Sequence, residues 1–373
     1  MHLRLLLFFV LPAITGFSQT SFKGMYVNGF AEILGNPDKE DSLLRYAASN
    51  GFTSLSLYNL HLIDLEASNS VENLAHFIRR ARIDYHLSEV GAVGENAGSF
   101  SNRILPFNLS RTDTNERFNV FNLEFEFWVP SSIDNYYCAD YLQPGGYTCD
   151  EAGAFAFYMR QLEIMDSITE LYNWKSEIYL GHFDQQQATQ MAAIADRILL
   201  SNYNADPENA FPYSETRLER LGNTGFEVTV AALFSAEPDY LQPWLINHDN
   251  DPDSAYHIFL SAYQSAEGTW KQHIRLVGQQ WFAYSHLPYQ IGTAGLNSLH
   301  TVLLFAVYPN PMTDYVEITG TQGILPILSD LNGKTIHTDI QQINPDHFQL
   351  NFNISPGVYV LHIGDAHVLL TRL

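Results

Sequence analysis

Between about residue 22 and residue 286 the apolar positions follow two alternating rhythms. Short runs rich in β-branched and aromatic residues occupy 25–30, 53–58, 87–93, 120–127, 178–183, 198–203, 228–234 and 277–283. Between them, over 41–49, 71–82, 152–171, 188–196, 215–221 and 255–272, apolar residues recur at three- and four-residue spacing, the period of a helix with one buried face. Between the third and fourth runs the helical pattern is weak, and Pro106 interrupts it. Eight strands alternating with helices over this length predict a closed (β/α)8 barrel, which typically needs about 250 residues. Near-continuous apolar strands fit a parallel sheet covered on both faces. The competing open, doubly wound sheet is disfavoured because no Gly-x-Gly-x-x-Gly follows the first strand. The predicted fold class is therefore α/β: a TIM barrel over 22–286, a linker over 287–305 and a small all-β sandwich over 306–373.

The last seventy or so residues change character, with short β-like runs between turn residues. Pro309 and Pro311 set an extended entry, Asn332-Gly333 reads as a hairpin turn, and Gly357 opens a run alternating Val358, Val360 and His362 against Tyr359, Leu361 and Ile363. The motifs Tyr308-Pro309-Asn310-Pro311, Tyr315-Val316-Glu317-Ile318, Asp330-Leu331-Asn332-Gly333-Lys334 and Ile354 to Ile363 follow a known running order. It resembles that of the type IX secretion C-terminal sorting domain. The resemblance implies export through that machinery as a partner, followed by release or attachment at the cell surface. It implies nothing about chemistry.

The first residues agree with export. Arg4 precedes an apolar run over 5–14, and Gly16-Phe17-Ser18 offers small residues before a cleavage point, which reads as a signal peptide over 1–18. Cys138 and Cys149 are the only cysteines, and in an oxidising compartment they are expected to pair and stiffen a Tyr/Gly-rich loop. The net charge of −22 argues against holding a nucleic-acid backbone. Aromatic residues make up 13% of the chain, enough to furnish either a large core or surfaces that stack on sugar rings.

Function in such a barrel belongs to the C-terminal ends of the strands. Those ends carry Tyr58-Asn59, Gly94-Glu95-Asn96, Glu124 to Trp128, His182 to Asp184, Asn202-Tyr203-Asn204, Ser235-Ala236-Glu237 and Trp281 to Tyr284. On the fourth strand, alternation puts Leu123, Phe125 and Phe127 on one face and Asn122, Glu124 and Glu126 on the other. The apolar set must pack on helices, so both glutamates point into the barrel mouth, about 6.6 Å apart along the strand. Their repulsion and burial should raise the pKa of one of them, as a general acid requires.

Asn119-x-x-Asn122-x-Glu124-x-Glu126 keeps the spacing of the D-x-x-D-x-D-x-E motif and resembles the fourth strand of family-18 glycoside hydrolases, the chitinases and endo-β-N-acetylglucosaminidases. The resemblance implies that Glu126 donates the proton to the glycosidic oxygen. It implies that Glu124 orients an acetamido group whose carbonyl attacks the anomeric carbon, and that Tyr203 hydrogen-bonds that carbonyl. Trp281 would floor the sugar subsite, with Tyr58, Trp128 and Asn204 as further contacts to a glycan substrate. Only the last acid of the motif is kept unchanged, so a non-catalytic glycan-binding relative also fits. A third scheme pairs Glu126 with Glu237, as retaining glycosidases of this architecture pair carboxylates after the fourth and seventh strands.

Other signals carry less. Asp249, Asp251 and Asp253 mimic the start of a calcium loop, but the sharp-turn glycine and the closing glutamate are missing. His182 and Asp184 lack an evident third metal ligand, so neither metal nor cofactor is expected. Trp128, Tyr136, Tyr137 and Tyr141 crowd the loop after the fourth strand, either as an aromatic lip or as a plug for the rim.

Overall fold

A computed structural model of the chain describes residues 22–287 and, with short gaps in the turns, 306–372. The signal peptide, the linker, the Pro309/Pro311 entry and the Asn332-Gly333 turn lie outside the described residues. The chain divides into two compact units, Met1–Gly292 and Thr293–Leu373.

The first unit is the expected barrel. Strands β1 (Phe22–Val27), β2 (Ser54–Leu57), β3 (Glu89–Gly94), β4 (Val120–Leu123), β5 (Lys175–Leu180), β6 (Arg197–Ser201), β7 (Val228–Ser235) and β8 (Ile274–Phe282) pair in parallel in chain order. β8 closes on β1 through Phe22↔Gly278 to Met25↔Trp281. Helices at Pro37–Ser49, Ser68–Ile83, Glu151–Tyr172, Gln185–Ala192, Ala210–Gly222 and Pro252–Ser265 cover the outside. Several start at side-chain caps: Asn36, Asp150, Asp184 and Asp251 each accept a backbone N–H of the first turn. Asp184 and Asp251 are thereby spent as helix caps, and Asp253 pairs with Lys23 at 2.8 Å.

Three regions depart from the sequence reading. β5 and β6 begin before their apolar runs because their first inward residues are charged. Arg197 lies against Glu177 and, at 2.6 Å, against Glu89, and Lys175 also meets Glu89. Buried ions persist only when paired, and these close the barrel floor. The weak stretch before β4 is helical from 97 to 110, with an i→i+5 hydrogen-bonded turn at Phe100–Ile104 just ahead of Pro106. The cysteine loop is also helical over 130–145, with i→i+5 bonding through Ile133–Leu142. The Cys138–Cys149 disulfide is formed there.

The second unit is the expected antiparallel β domain. Strands β9 (Ala306–Tyr308), β10 (Tyr315–Thr319), β13 (Asp339–Asn344) and β14 (His347–Asn351) form one sheet, in the order β13-β14-β10-β9. Strands β11 (Pro326–Asp330), β12 (Thr335–Ile336), β15 (Gly357–Ile363) and β16 (Ala366–Arg372) form the other, in the order β12-β11-β15-β16. Val316, Ile318, Phe348 and Leu350 from the first meet Leu328, Leu361, Ile363 and Leu370 from the second in one core.

Candidate active site

The hydrogen-bonded ladder of β4 ends at Leu123, four residues earlier than the alternation suggests, but the alternation of side chains continues beyond it. Glu124 still donates its N–H to the Gly94 carbonyl at 3.0 Å. Phe125 and Phe127 are fully buried on the helix side, which leaves Glu124 and Glu126 facing the mouth. The Tyr58 hydroxyl donates to Glu124 Oε1 at 2.7 Å, and the Tyr179 hydroxyl donates to Glu126 Oε1 at 3.2 Å. Burial, opposed by the Tyr58 hydrogen bond and reinforced by the charges of Glu126 and Glu95, raises the Glu124 carboxyl to about 8. Burial also raises Glu126, against the Tyr179 hydrogen bond.

The two asparagines that replace acids of the motif are absorbed into the barrel. Asn119 accepts the Val90 N–H at 2.9 Å and donates to the Ser88 carbonyl at 3.0 Å, tying β4 to β3. Asn122 donates to Glu177 Oε1 at 2.7 Å and accepts from the Tyr26 hydroxyl at 3.2 Å. An amide can do both at once, whereas an aspartate at 122 would face the Glu177 carboxylate with like charge. A polar column therefore runs from the Glu89–Arg197–Glu177 floor to Asn122 and Tyr26, the inward neighbours of Glu124 along the barrel interior.

Aromatic rings line the rim above the carboxyl pair. Tyr203 does not donate to Glu124, as Tyr58 does; its ring stacks with Tyr179 at 6.3 Å and tilts against Tyr240 at 5.1 Å. Trp128 sets its edge to Tyr179 at 5.5 Å and lies over Gly181, where any Cβ would come within 2.4 Å of the indole nitrogen. Asn204 follows Tyr203, and its side-chain nitrogen is buried with no protein partner. Glu237 accepts from Ser235 Oγ at 2.9 Å, and its charge acts on Tyr203 and Tyr240, which also feel Glu126. An open groove of about 590 Å³ lies at the β1 end of this face, lined by Asn28, Glu32, Asp38, Lys39 and Ser285 among others.

The expectation for Trp281 is corrected. Its side chain is fully buried on the helix side of β8, stacked on Phe234 at 5.1 Å, and its indole N–H donates to Gln279 Oε1 at 2.8 Å. A register shift opposite Val230/Ala231 inserts one residue into β8 at Val277, so every later side chain swaps faces. Gly278 makes the shift, with φ +149 and no room for a Cβ beside the Phe22 carbonyl. The mouth receives Phe282 instead, edge-on to Tyr26 at 5.6 Å and to Tyr58 at 6.3 Å. Phe282, Tyr179, Tyr26 and Tyr240 were not singled out by the sequence; inward alternation on β1 and β5 was the available signal for Tyr26 and Tyr179.

The tyrosines after β4 form a wall. Tyr137 is buried and stacked on Phe125 at 3.9 Å, while Tyr136 and Tyr141 donate to the Glu95 carboxylate at 3.3 and 2.7 Å. His182 meets the Tyr213 hydroxyl at 3.3 Å.

Solved structures similar in fold include a modular endo-β-1,4-mannanase of glycoside hydrolase family 26 from Cellulomonas fimi, 11% identical over 94% of this chain and 93% of that one, with a TM-score of 0.44. A family-18 chitinase from Cycas revoluta is 11% identical over 71% of this chain and 96% of its own, with a TM-score of 0.42. An aldolase from Escherichia coli is 11% identical over 70% of this chain and 74% of its own, with a TM-score of 0.35. No curated protein matches the chain. Residues 306–372 match the secretion system C-terminal sorting domain, so the protein is exported by the type IX system to the cell surface or extracellular space.

Proposed function

We propose that the protein is a secreted glycoside hydrolase acting on a β-linked glycan that contains N-acetylglucosamine, with Glu126 as the proton donor. One arrangement supports this above all. Two carboxyl groups just beyond β4 are each held by an inward tyrosine, and both are shifted toward the protonated form inside a ring of aromatic side chains. Burial that favours the protonated form of Glu126 suits a group that must pass a proton to a glycosidic oxygen, and aromatic faces suit the apolar faces of sugar rings.

In this scheme Glu126 protonates the leaving oxygen as the C–O bond breaks. The substrate's own acetamido carbonyl oxygen bonds to the anomeric carbon, while Glu124 accepts a hydrogen bond from the acetamido N–H. Glu126, now a carboxylate, takes a proton from water as that water opens the intermediate, and so returns to its starting state. Tyr179 positions Glu126, Tyr58 positions Glu124, and Phe282, Trp128 and Tyr203 supply the walls of the sugar subsite.

A second reading has its own support. Glu237 shares Tyr203 and Tyr240 with Glu126 as electrostatic neighbours, so a Glu126/Glu237 pair could serve a retaining double displacement with no acetamido group. The test compares the wild type with Glu126→Gln on chitin oligosaccharides, N-glycopeptides and acetamide-free β-glycans. Cleavage limited to acetamido substrates and reduced by about 10²- to 10⁴-fold in Glu126→Gln is the expected result. Cleavage of acetamide-free glycans that is lost in Glu237→Gln supports the carboxylate pair. Sugar binding without cleavage by the wild type makes the barrel a glycan-binding protein.

A further inference from the structure

We infer that Tyr137 is a positioning residue for Glu126, and that the Cys138–Cys149 disulfide, by anchoring the helical segment that carries Tyr137, makes a competent site depend on the oxidised chain. The last ladder pairs of β4 are Gly94↔Leu123 and Leu123↔Ile178. Glu126 lies beyond them, and its N–H donates to the Tyr137 hydroxyl oxygen at 3.1 Å. The same ring stacks on Phe125 at 3.9 Å with an interplanar angle of 14°, so one side chain grips two successive residues of the segment bearing the acid. A half-buried N–H deprived of its acceptor is costly, and the backbone would move to satisfy it. A shift of about 1 Å in a proton donor costs about a hundredfold in rate.

Tyr137 is itself held from two directions. Its neighbours on the helical segment, Tyr136 and Tyr141, donate to the two oxygens of Glu95 at the end of β3. The next residue, Cys138, is bonded to Cys149, which abuts Asp150, the N-cap of the long helix Glu151–Tyr172. The i→i+5 hydrogen bonding through Ile133–Leu142 is a geometry rarely sustained at length, so covalent anchoring at its centre has a clear purpose. Reduction converts the disulfide to two thiols, with the electrons and protons supplied by a dithiol, and releases that anchor. The chain is made in a reducing interior and works outside it, so the site would be completed only after export.

The kinetic part rests on Glu126 being the acid; the exchange part does not. Tyr137→Phe keeps the stacked ring and removes the hydroxyl, which is the acceptor for the Glu126 N–H and also a hydrogen-bond partner of Tyr136. Its melting temperature is expected within about 3 °C of wild type, while the Glu126 amide exchanges with deuterium about tenfold faster. The value of kcat should fall about 10- to 100-fold with KM within about twofold, because positioning acts on the acid and not on sugar contacts. Wild type reduced with dithiothreitol, and the Cys138→Ser/Cys149→Ser double variant, should move exchange and kcat the same way, and reoxidation of the wild type should restore both. Unchanged Glu126 exchange in Tyr137→Phe, faster exchange with unchanged kcat, or full activity after complete reduction each overturns the inference. A wild type that cleaves nothing sinks the hydrolase reading, and the exchange measurement still decides whether Tyr137 holds Glu126.

Discussion

Glu124 is uncharged near neutral pH for a reason that can be measured. An unfolded glutamic acid titrates near 4.5, and burial lifts the folded group to about 8. Between those values the folded chain keeps a proton that the unfolded chain has released, so stability falls as pH rises through this window and levels off above it. Glu124→Gln can still accept the Tyr58 hydroxyl and has no proton to lose. The variant is expected to gain on the wild type from pH 4.5 to pH 8, by on the order of a few kcal/mol. Thermal melts from pH 4 to pH 9 would show it. A gap that does not widen with pH would mean that burial does not govern this carboxyl. Alternation along one strand was enough to aim both glutamates inward. Which tyrosines would reach them was only half legible: Tyr58 was named from its strand end, but neither its bond to Glu124 nor the part of Tyr179 was read from the sequence. Those assignments depend on how far neighbouring strands are staggered, which no single strand records.

Among the elements, one inserted residue in β8 decides which aromatic ring faces the barrel mouth. Val277 and Gly278 shift the register, and Trp281 turns to the helices while Phe282 turns to the mouth. Trp281→Ala is therefore expected to cost about 3–5 kcal/mol of stability. Phe282→Ala should cost little stability and weaken oligosaccharide binding by about tenfold. Melts and titration calorimetry on the two variants, each measured well below its melting temperature, separate these outcomes; a loss of sugar affinity confined to Trp281→Ala would restore that residue to the subsite. The helical segment at 130–145 escaped the sequence reading for a related reason. Its i→i+5 bonding spaces side chains more widely than 3.6 residues per turn, so no helical period is written in it.

The whole molecule joins two units with separate cores, one around the barrel and one between the two small sheets. The sorting domain carries the address, and the barrel carries the candidate chemistry. Deleting residues 306–372 is expected to stop delivery to the surface or medium, with a folded barrel recovered from inside the cell envelope. Fractionation with circular dichroism of the recovered protein checks both halves. Normal delivery of the truncated chain would strip this domain of its role.

The order of the eight strands, most of the helices between them, the barrel class, the sorting domain and the inward aim of Glu124 and Glu126 were legible in the sequence, because each is written in local periodicity or contiguous motifs. The tertiary structure alone decided the rest: the charged floor that begins β5 and β6, the asparagines spent on neighbouring strands, the tyrosines that hold the carboxyls, and the exchange of Trp281 for Phe282. All four arise from pairing between strands far apart in the chain, where stagger, a single bulge and the sharing of buried charge are settled only when the barrel closes.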